Sequence, residues 1–363
     1  MKVKFTNLYR LIFNKKNIFL KINSLIKNSQ FVGGYEVHSF EKEFSNFTKG
    51  KYCISVGNGT DALEIAIKSL KLKNNSEIIV PNNTWISTAE AVVSNGHKVV
   101  FCDVNLDDYT ICLHDLKKKI NRNTRAIIAV HLYGNPADIK GIQNIIKKKN
   151  IALVEDCAQA HGSLIKRKHV GTFGKVSCFS FFPGKNLGAF GDAGAIVTNN
   201  KKIYNYCLRQ RNHGSLNKYD HKFSGRNSRL DSIQAAVLRI KLKNYLKVIK
   251  KRRYLSNIYF KELTNISDLK LFRLKNVNQS SFHQFVIRTE FRNKLRLFLA
   301  KSGIETMIHY PYMLNSLKFF GKKNFLVNSD NLGKKILSLP ISEEHTVRQI
   351  IFVCKKIQQF FKN

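Results

Sequence analysis

Two residues near the middle of the chain could do chemistry together. Asp156 closes the apolar run IALVED (151–156), and Lys185 stands 29 residues later between Gly184 and Gly188, in a loop that follows the apolar run VSCFSFF (176–182). An acid and an amine held at two neighbouring strand ends suit pyridoxal phosphate. The amine can form an imine with the cofactor aldehyde, and the acid keeps the pyridine nitrogen protonated so that the ring withdraws electrons. Taken alone, each residue has a plainer reading: Asp156 as a capping or ion-paired acid, Lys185 as one solvent-facing cation among 62 basic residues. Their settings separate them from that background. A half-buried acid needs a cationic or N–H partner to stay ionised, and Lys185 sits without basic neighbours in a tight loop made by Pro183, Gly184, Gly188 and Gly191.

Other candidates lie nearby in the pattern. Gln159, three residues after Asp156, can donate to the cofactor's phenolic oxygen, and Ser180 is a phosphate hydroxyl or a simple strand residue. Trp85, the only tryptophan, follows the run IIV (78–80) and is either a ring stacked over a planar cofactor or a core residue. The turn Gly57-Asn58-Gly59-Thr60, with a helix expected from Asp61, is a generic anion cradle, because unpaired N–H groups and the helix dipole point at a phosphate. It also satisfies the dinucleotide pattern G-x-G-x-x-A, with Glu77 20 residues after Gly57. The ribose-binding acid of such a site should close the second strand, whereas Glu77 opens one, so a nicotinamide-dependent oxidoreductase is the weaker alternative.

The elements that must position these groups alternate. Short apolar runs at 52–56, 78–80, 98–104, 125–134, 151–156, 176–182 and 195–199 are continuous rather than alternating, with helical patterns between several of them. Continuous runs mean that both strand faces are covered, which predicts an α/β fold with a mainly parallel sheet and helices on both sides. Ligands in such sheets collect at the C-terminal strand ends. One long or kinked helix is expected from about Leu230, after which a strand at 283–289 and further helices indicate a smaller α+β domain. The expected division is 1–240 and 241–363. Residues 1–50 form a helical lead-in, with Phe40, Phe44 and Phe47 on one buried face.

The net charge of +38 is the loudest feature of the composition. It fits a polyanion partner, nucleic acid or an acidic membrane surface, and so keeps a non-enzymatic binding or regulatory protein as an alternative. The basic residues are nevertheless dispersed over helix faces, as at Lys117–Lys119 and Lys147–Lys149, so no nucleic acid is expected. Seven cysteines with no CxxC spacing read as reduced, packed thiols rather than a disulfide frame or metal site. No apolar run approaches the roughly 18 residues of a membrane span, and a cytoplasmic protein is expected.

With these residues placed, the chain resembles the DegT/DnrJ/EryC1/StrS aminotransferase family over nearly its whole length. The motifs are FVGGYEVHSFEKEF, GNGTDAL (57–63), NTWISTAEAV (83–92), VHLYGNPAD (130–138), EDCAQAHG (155–162), FSFFPGKNLGAFGDAGAIVT (179–198), GRNSRLDSIQAA (225–236), IHYP (308–311) and LSLPI (337–341). The resemblance implies a fold-type I enzyme that aminates keto sugars carried on nucleotides, with L-glutamate as donor. It implies that Lys185 is the Schiff-base lysine, Asp156 the pyridine-nitrogen partner, Gln159 the ring-oxygen partner and Trp85 the stacking ring. Gly59, Thr60, Asp61 and Ser180 would hold the phosphate, the first three chiefly through backbone. Asn227 would reach the phosphate in a neighbouring subunit's site, making the active unit a homodimer with shared sites. His161, His309 and Tyr310 match positions near the substrate. Some members are dehydratases with histidine at the lysine position; Lys185 argues for amino transfer. A dTDP-linked 6-deoxyhexose ketone aminated at C3 is the preferred substrate on overall similarity, with C4 and other nucleotides open.

Overall fold

The structure, a computed structural model, describes residues 1–12, 15–274, 279–321 and 325–362. Its strands are β1 (Tyr52–Val56), β2 (Glu77–Pro81), β3 (Lys98–Cys102), β4 (Thr124–Val130), β5 (Ala152–Asp156), β6 (Leu164–Ile165), β7 (Lys168–His169), β8 (Val176–Ser180), β9 (Gly194–Thr198), β10 (Lys270–Leu271), β11 (Phe285–Arg288) and β12 (Ile336–Leu339). Seven of them form the central sheet in the order β1-β9-β8-β5-β4-β2-β3. The pairs β2–β3, β2–β4, β4–β5 and β5–β8 are parallel, and β9 runs against both its neighbours.

The continuous apolar runs have the cause expected of them: every residue of β5 and β9 is buried. Because successive side chains point to opposite faces, Ile128 and Val130 join one apolar layer while Ile127 and Ala129 join another. The first layer takes Ala62, Leu63 and Ala66 from the helix Gly59–Ser69, the second takes Ile139 and Ile142 from the helix Ile139–Ile146. A third cluster seats Phe40 and Phe44 of the helix Gly34–Thr48 against Phe179 and Phe181, and Phe47 packs at its edge.

Beyond the sheet, the helix expected from Leu230 is two helices, Ser232–Leu242 and Tyr245–Leu263, parted at Lys243 and Asn244. The second packs on an antiparallel sheet β10-β11-β12, together with the helix Val347–Lys362. An extended segment, bridged at Met307 to Ser338, then carries His309 and Tyr310 toward the central sheet. The N-terminal residues dock on this side too: Val3 pairs with Ile304, and the Lys4 carbonyl meets His345 Nε2 at 2.9 Å.

All seven cysteines are unpaired, and all but Cys112 are buried. The lysines at 147–149 are exposed at the end of their helix, so this part of the positive charge is a solvated face. Among the described residues no helix is long and apolar enough to cross a membrane.

Candidate active site

The C-terminal ends of β5 and β8 open into a cavity of about 970 Å3, a size usual for a cofactor and a small ligand. Asp156 and Lys185 both line it. Asp156 ends β5; its Oδ2 accepts a hydrogen bond from Thr88 Oγ1 at 2.8 Å and its Oδ1 accepts one from the Ala158 N–H at 3.1 Å. Burial raises its pKa, and the hydrogen bonds from Ala158 and Thr88 and the charge of Lys185 oppose that rise. Burial also pushes the Lys185 amine down to about 8, with the charge of Asp156 holding it up. Each group is thus the other's counter-charge in a water-poor wall, and each retains its full chemistry toward a ligand between them.

Beneath this pair lies a second acid that sequence reasoning passed over. Glu155, fully buried, accepts from His131 Nε2 at 3.0 Å and from the N–H groups of Gly171, Phe173 and Gly174 at 2.8, 2.7 and 2.7 Å. Burial alone would raise its pKa, but these donors hold it below the ordinary carboxylate value. His131 Nδ1 takes the N–H of Ala137, so its proton resides on Nε2, facing Glu155. The neighbouring Cys157 adds a third donor atom within 4.8 Å of both. Glu155 is spent on orienting the loop after β7 and fixing the β4 end, which leaves Asp156 as the acid that β5 presents to the cavity.

Gln159 has its amide orientation set from behind. Its Oε1 accepts from the Tyr133 N–H at 2.8 Å, so Nε2 faces the cavity, where it donates to Tyr310 Oη at 2.9 Å. The second Nε2 hydrogen is available to a ring oxygen. Trp85 is 56 % exposed, which rules out the core reading; its ring lies 5.5 Å from that of Tyr310 on the cavity wall.

The helix behind the expected anion cradle begins at Gly59, two residues before the expected Asp61. Asn58 caps the helix Gly59–Ser69, its Oδ1 taking the Asp61 N–H at 2.8 Å. The N–H groups of Gly59 and Thr60 belong to the first turn, where no helical carbonyl is available to them. Asp61 departs from its expected part, since its N–H is engaged by the cap. Its carboxylate is engaged as well, accepting from Ser228 Oγ at 2.6 Å and lying 3.1 Å from Arg226 Nη1. Arg226 also pairs with Glu64. The acids beside the cradle are therefore neutralised and do not repel a phosphate.

The fit is close at Gly59, where a Cβ would stand 2.7 Å from Ser180 Cβ, so only glycine lets the turn approach β8. Ser180 lines the cavity there, and Thr60 Oγ1 bonds Ser87 Oγ at 2.8 Å. Two helix N–H groups, hydroxyls, an oriented amide, a buried acid and an amine make a donor set that fits pyridoxal phosphate.

Two expected residues are not brought into this cavity. His161 is fully buried between Phe44, Phe179 and Phe181, with ring centroids at 6.5, 5.7 and 5.3 Å. The turn after β5 folds it among these rings, so it packs there and does not line the cavity. Asn227 is exposed and bridges Asn212, outside the wall of its own chain's cavity. His309 and Tyr310 do line the cavity. Sequence reasoning missed Tyr133, which lies behind Gln159, and the cavity-lining residues Thr88, Arg226, His283, Phe5 and Leu8. Three of them stand inside segments quoted above, Thr88 in NTWISTAEAV, Tyr133 in VHLYGNPAD and Arg226 in GRNSRLDSIQAA, but only the tertiary contacts show what each meets.

Comparison with known proteins agrees with this geometry. The sequence model of the DegT/DnrJ/EryC1/StrS aminotransferase family matches residues 13–358. The dTDP-3-amino-3,6-dideoxy-α-D-galactopyranose transaminase of Aneurinibacillus thermoaerophilus is 36% identical over 349 residues, covering 95% of this chain and 96% of the relative. The crystal structure of S. venezuelae DesV superposes with a TM-score of 0.96 at 32% identity, covering 100% of this chain and 99% of that one. NtdA of Bacillus subtilis with its bound cofactor PMP gives a TM-score of 0.93 at 27% identity, covering 100% and 86%. The chain belongs to the DegT/DnrJ/EryC1/StrS aminotransferase family, as an enzyme that uses pyridoxal phosphate to aminate a nucleotide-linked keto sugar.

Proposed function

We propose that the substrate is a dTDP-linked 3-keto-6-deoxyhexose, that L-glutamate is the amino donor, and that two chains act as a cytoplasmic homodimer with shared sites. The observation that carries the site assignment is the shared cavity of Asp156 and Lys185, with the lysine amine held near 8. The sugar class is supported by the 36%-identical relative, named for a dTDP-linked 3-amino-dideoxy sugar. The shared site is supported by Asn227, which is exposed on its own chain within the segment GRNSRLD and thus open to a neighbour.

Pyridoxal phosphate, when bound, supplies an aldehyde that condenses with amines and a ring that takes up the electron pair freed at the adjacent carbon. The chain's residues do the rest. Gly59, Thr60 and Ser180 bind the phosphate, Trp85 covers the ring and Gln159 Nε2 orients it. Asp156, kept in place by Thr88 and Ala158, holds a proton on the ring nitrogen. Lys185 would be the base that removes the donor's α-proton and the acid that returns it two atoms along, on the far side of the nitrogen, work that suits an amine of lowered pKa. His309 and Tyr310 form the wall that the sugar meets.

The test is turnover with L-glutamate against a panel of dTDP-, UDP- and GDP-linked 3-keto and 4-keto sugars, with products identified by mass and NMR. The dTDP-linked 3-ketone should give the highest kcat/KM. A clear preference for a 4-ketone or another nucleotide would refute the substrate assignment. Borohydride reduction should fix the cofactor on Lys185 and nowhere else.

A further inference from the structure

The loop that delivers Lys185 also fixes the state of a histidine that has no role so far. Asn186, the next residue, is buried, and its Nδ2 donates to the Ser281 carbonyl at 3.0 Å. Its Oδ1 therefore faces His283 Nδ1, at 2.9 Å. A carbonyl oxygen only accepts, so the His283 proton resides on Nδ1 and the lone pair on Nε2. The backbone around this ring is held as well. Ser281 N–H donates to Ser163 Oγ at 3.1 Å, Ser280 Oγ to Asn135 Oδ1 at 3.0 Å, and Gln284 N–H to the Tyr133 carbonyl at 3.2 Å.

His283 lines the cavity with Lys185 and Asp156. Burial keeps it neutral, reinforced by the positive charges of Lys185 and Arg252 nearby. Arg252 itself is committed to Glu343 at 2.9 Å and to the carbonyls of Phe282 and Ile341, both at 3.0 Å. The carboxylate of Asp156 is engaged by Thr88 and Ala158. His283 Nε2 is then a neutral acceptor, aligned in advance, in the wall of the cavity that Lys185 also lines. A keto sugar must bring its carbonyl carbon to that amine, and the carbon next to a sugar's carbonyl carries a hydroxyl whose O–H needs an acceptor once water is excluded.

We infer that His283 Nε2 accepts a hydrogen bond from the hydroxyl adjacent to the sugar carbon that receives the amino group, so that it selects sugars bearing that hydroxyl. The inference rests on the keto-sugar reading above. Asn186 acts through it as a positioning residue that locks the tautomer.

The experiment uses the cofactor-loaded protein and calorimetric binding of the nucleotide-linked amino sugar that wild type makes. The bare nucleoside diphosphate is titrated alongside. His283→Phe should weaken the amino-sugar nucleotide about tenfold and the bare nucleotide by less than about twofold. His283→Gln, whose amide oxygen can occupy the place of Nε2, should recover most of the difference. Retention of cofactor absorbance shows that each variant is folded; should the Phe variant not fold, the Gln variant and Asn186→Leu carry the comparison, the latter weakening the sugar but not the nucleotide. Equal weakening of both ligands, or no change in either, overturns the inference while wild-type turnover leaves the aminotransferase assignment standing. A wild type that turns over no keto sugar removes both.

Discussion

Lys185 carries an amine pushed down from 10.5 to about 8 by burial, with Asp156 as the opposing influence. A fall of that size disfavours the charged form by about 3 kcal/mol. At pH 7 about one such amine in ten is unprotonated, against about one in 3,000 for an ordinary lysine, so the buried amine should be about 300-fold more often ready to attack an aldehyde. The perturbation is Asp156→Asn, which removes the carboxylate that supports the ammonium and should lower the amine's pKa by about a further unit. The assay is capture of pyridoxal phosphate by the apoprotein, followed by absorbance from about pH 6 to about pH 10 and divided by the rate of a free lysine derivative, which cancels the cofactor's own ionisations. The sign follows from which form reacts: the wild-type rate ratio is high at neutral pH and falls off above about 8 as the free amine catches up, and the variant's break lies lower. A rate ratio that stays flat to about pH 10 would mean an amine of ordinary pKa and would refute the reasoning.

Other expected outcomes are as direct. Asn227→Ala should loosen the cofactor about tenfold without touching the chain's own cavity; unchanged retention on dialysis, or a fully active monomer by light scattering, would sink the shared-site assignment. Thr88→Val removes a 2.8 Å hydrogen bond to a buried carboxylate, so kcat should fall about ten- to hundredfold with KM for glutamate little changed. His161 and His169, held near 3 and near 4 by burial, are neutral when folded, while the unfolded chain takes up their protons at about 6.5. Their contribution is fully present above about 6.5 and lost as pH falls, each by about 1.4 kcal/mol per unit. Urea midpoints should therefore drop between about pH 6.5 and about pH 5, and His161→Phe should flatten that slope.

The strands were legible because burial on two faces writes itself as an unbroken apolar run, as in IALVED and AIVT. The acid and the amine were legible because β5 ends at Asp156 and glycines bracket Lys185. Trp85 was ambiguous in sequence, since an aromatic beyond a strand can turn inward or outward, and its 56 % exposure decided it. His161 failed as a substrate residue for the reverse reason: a polar letter in a motif does not say which side of the sheet the next turn takes. What the chain by itself determined is the local order of groups along each strand end, because period and turn chemistry act over a few residues. What only the tertiary structure decided is which distant groups meet: Thr88 on Asp156, Tyr133 behind Gln159, and Asn186 on His283. Hydrogen bonds between groups 26 to 97 residues apart depend on where the whole sheet and the C-terminal segment come to rest, which no local pattern encodes.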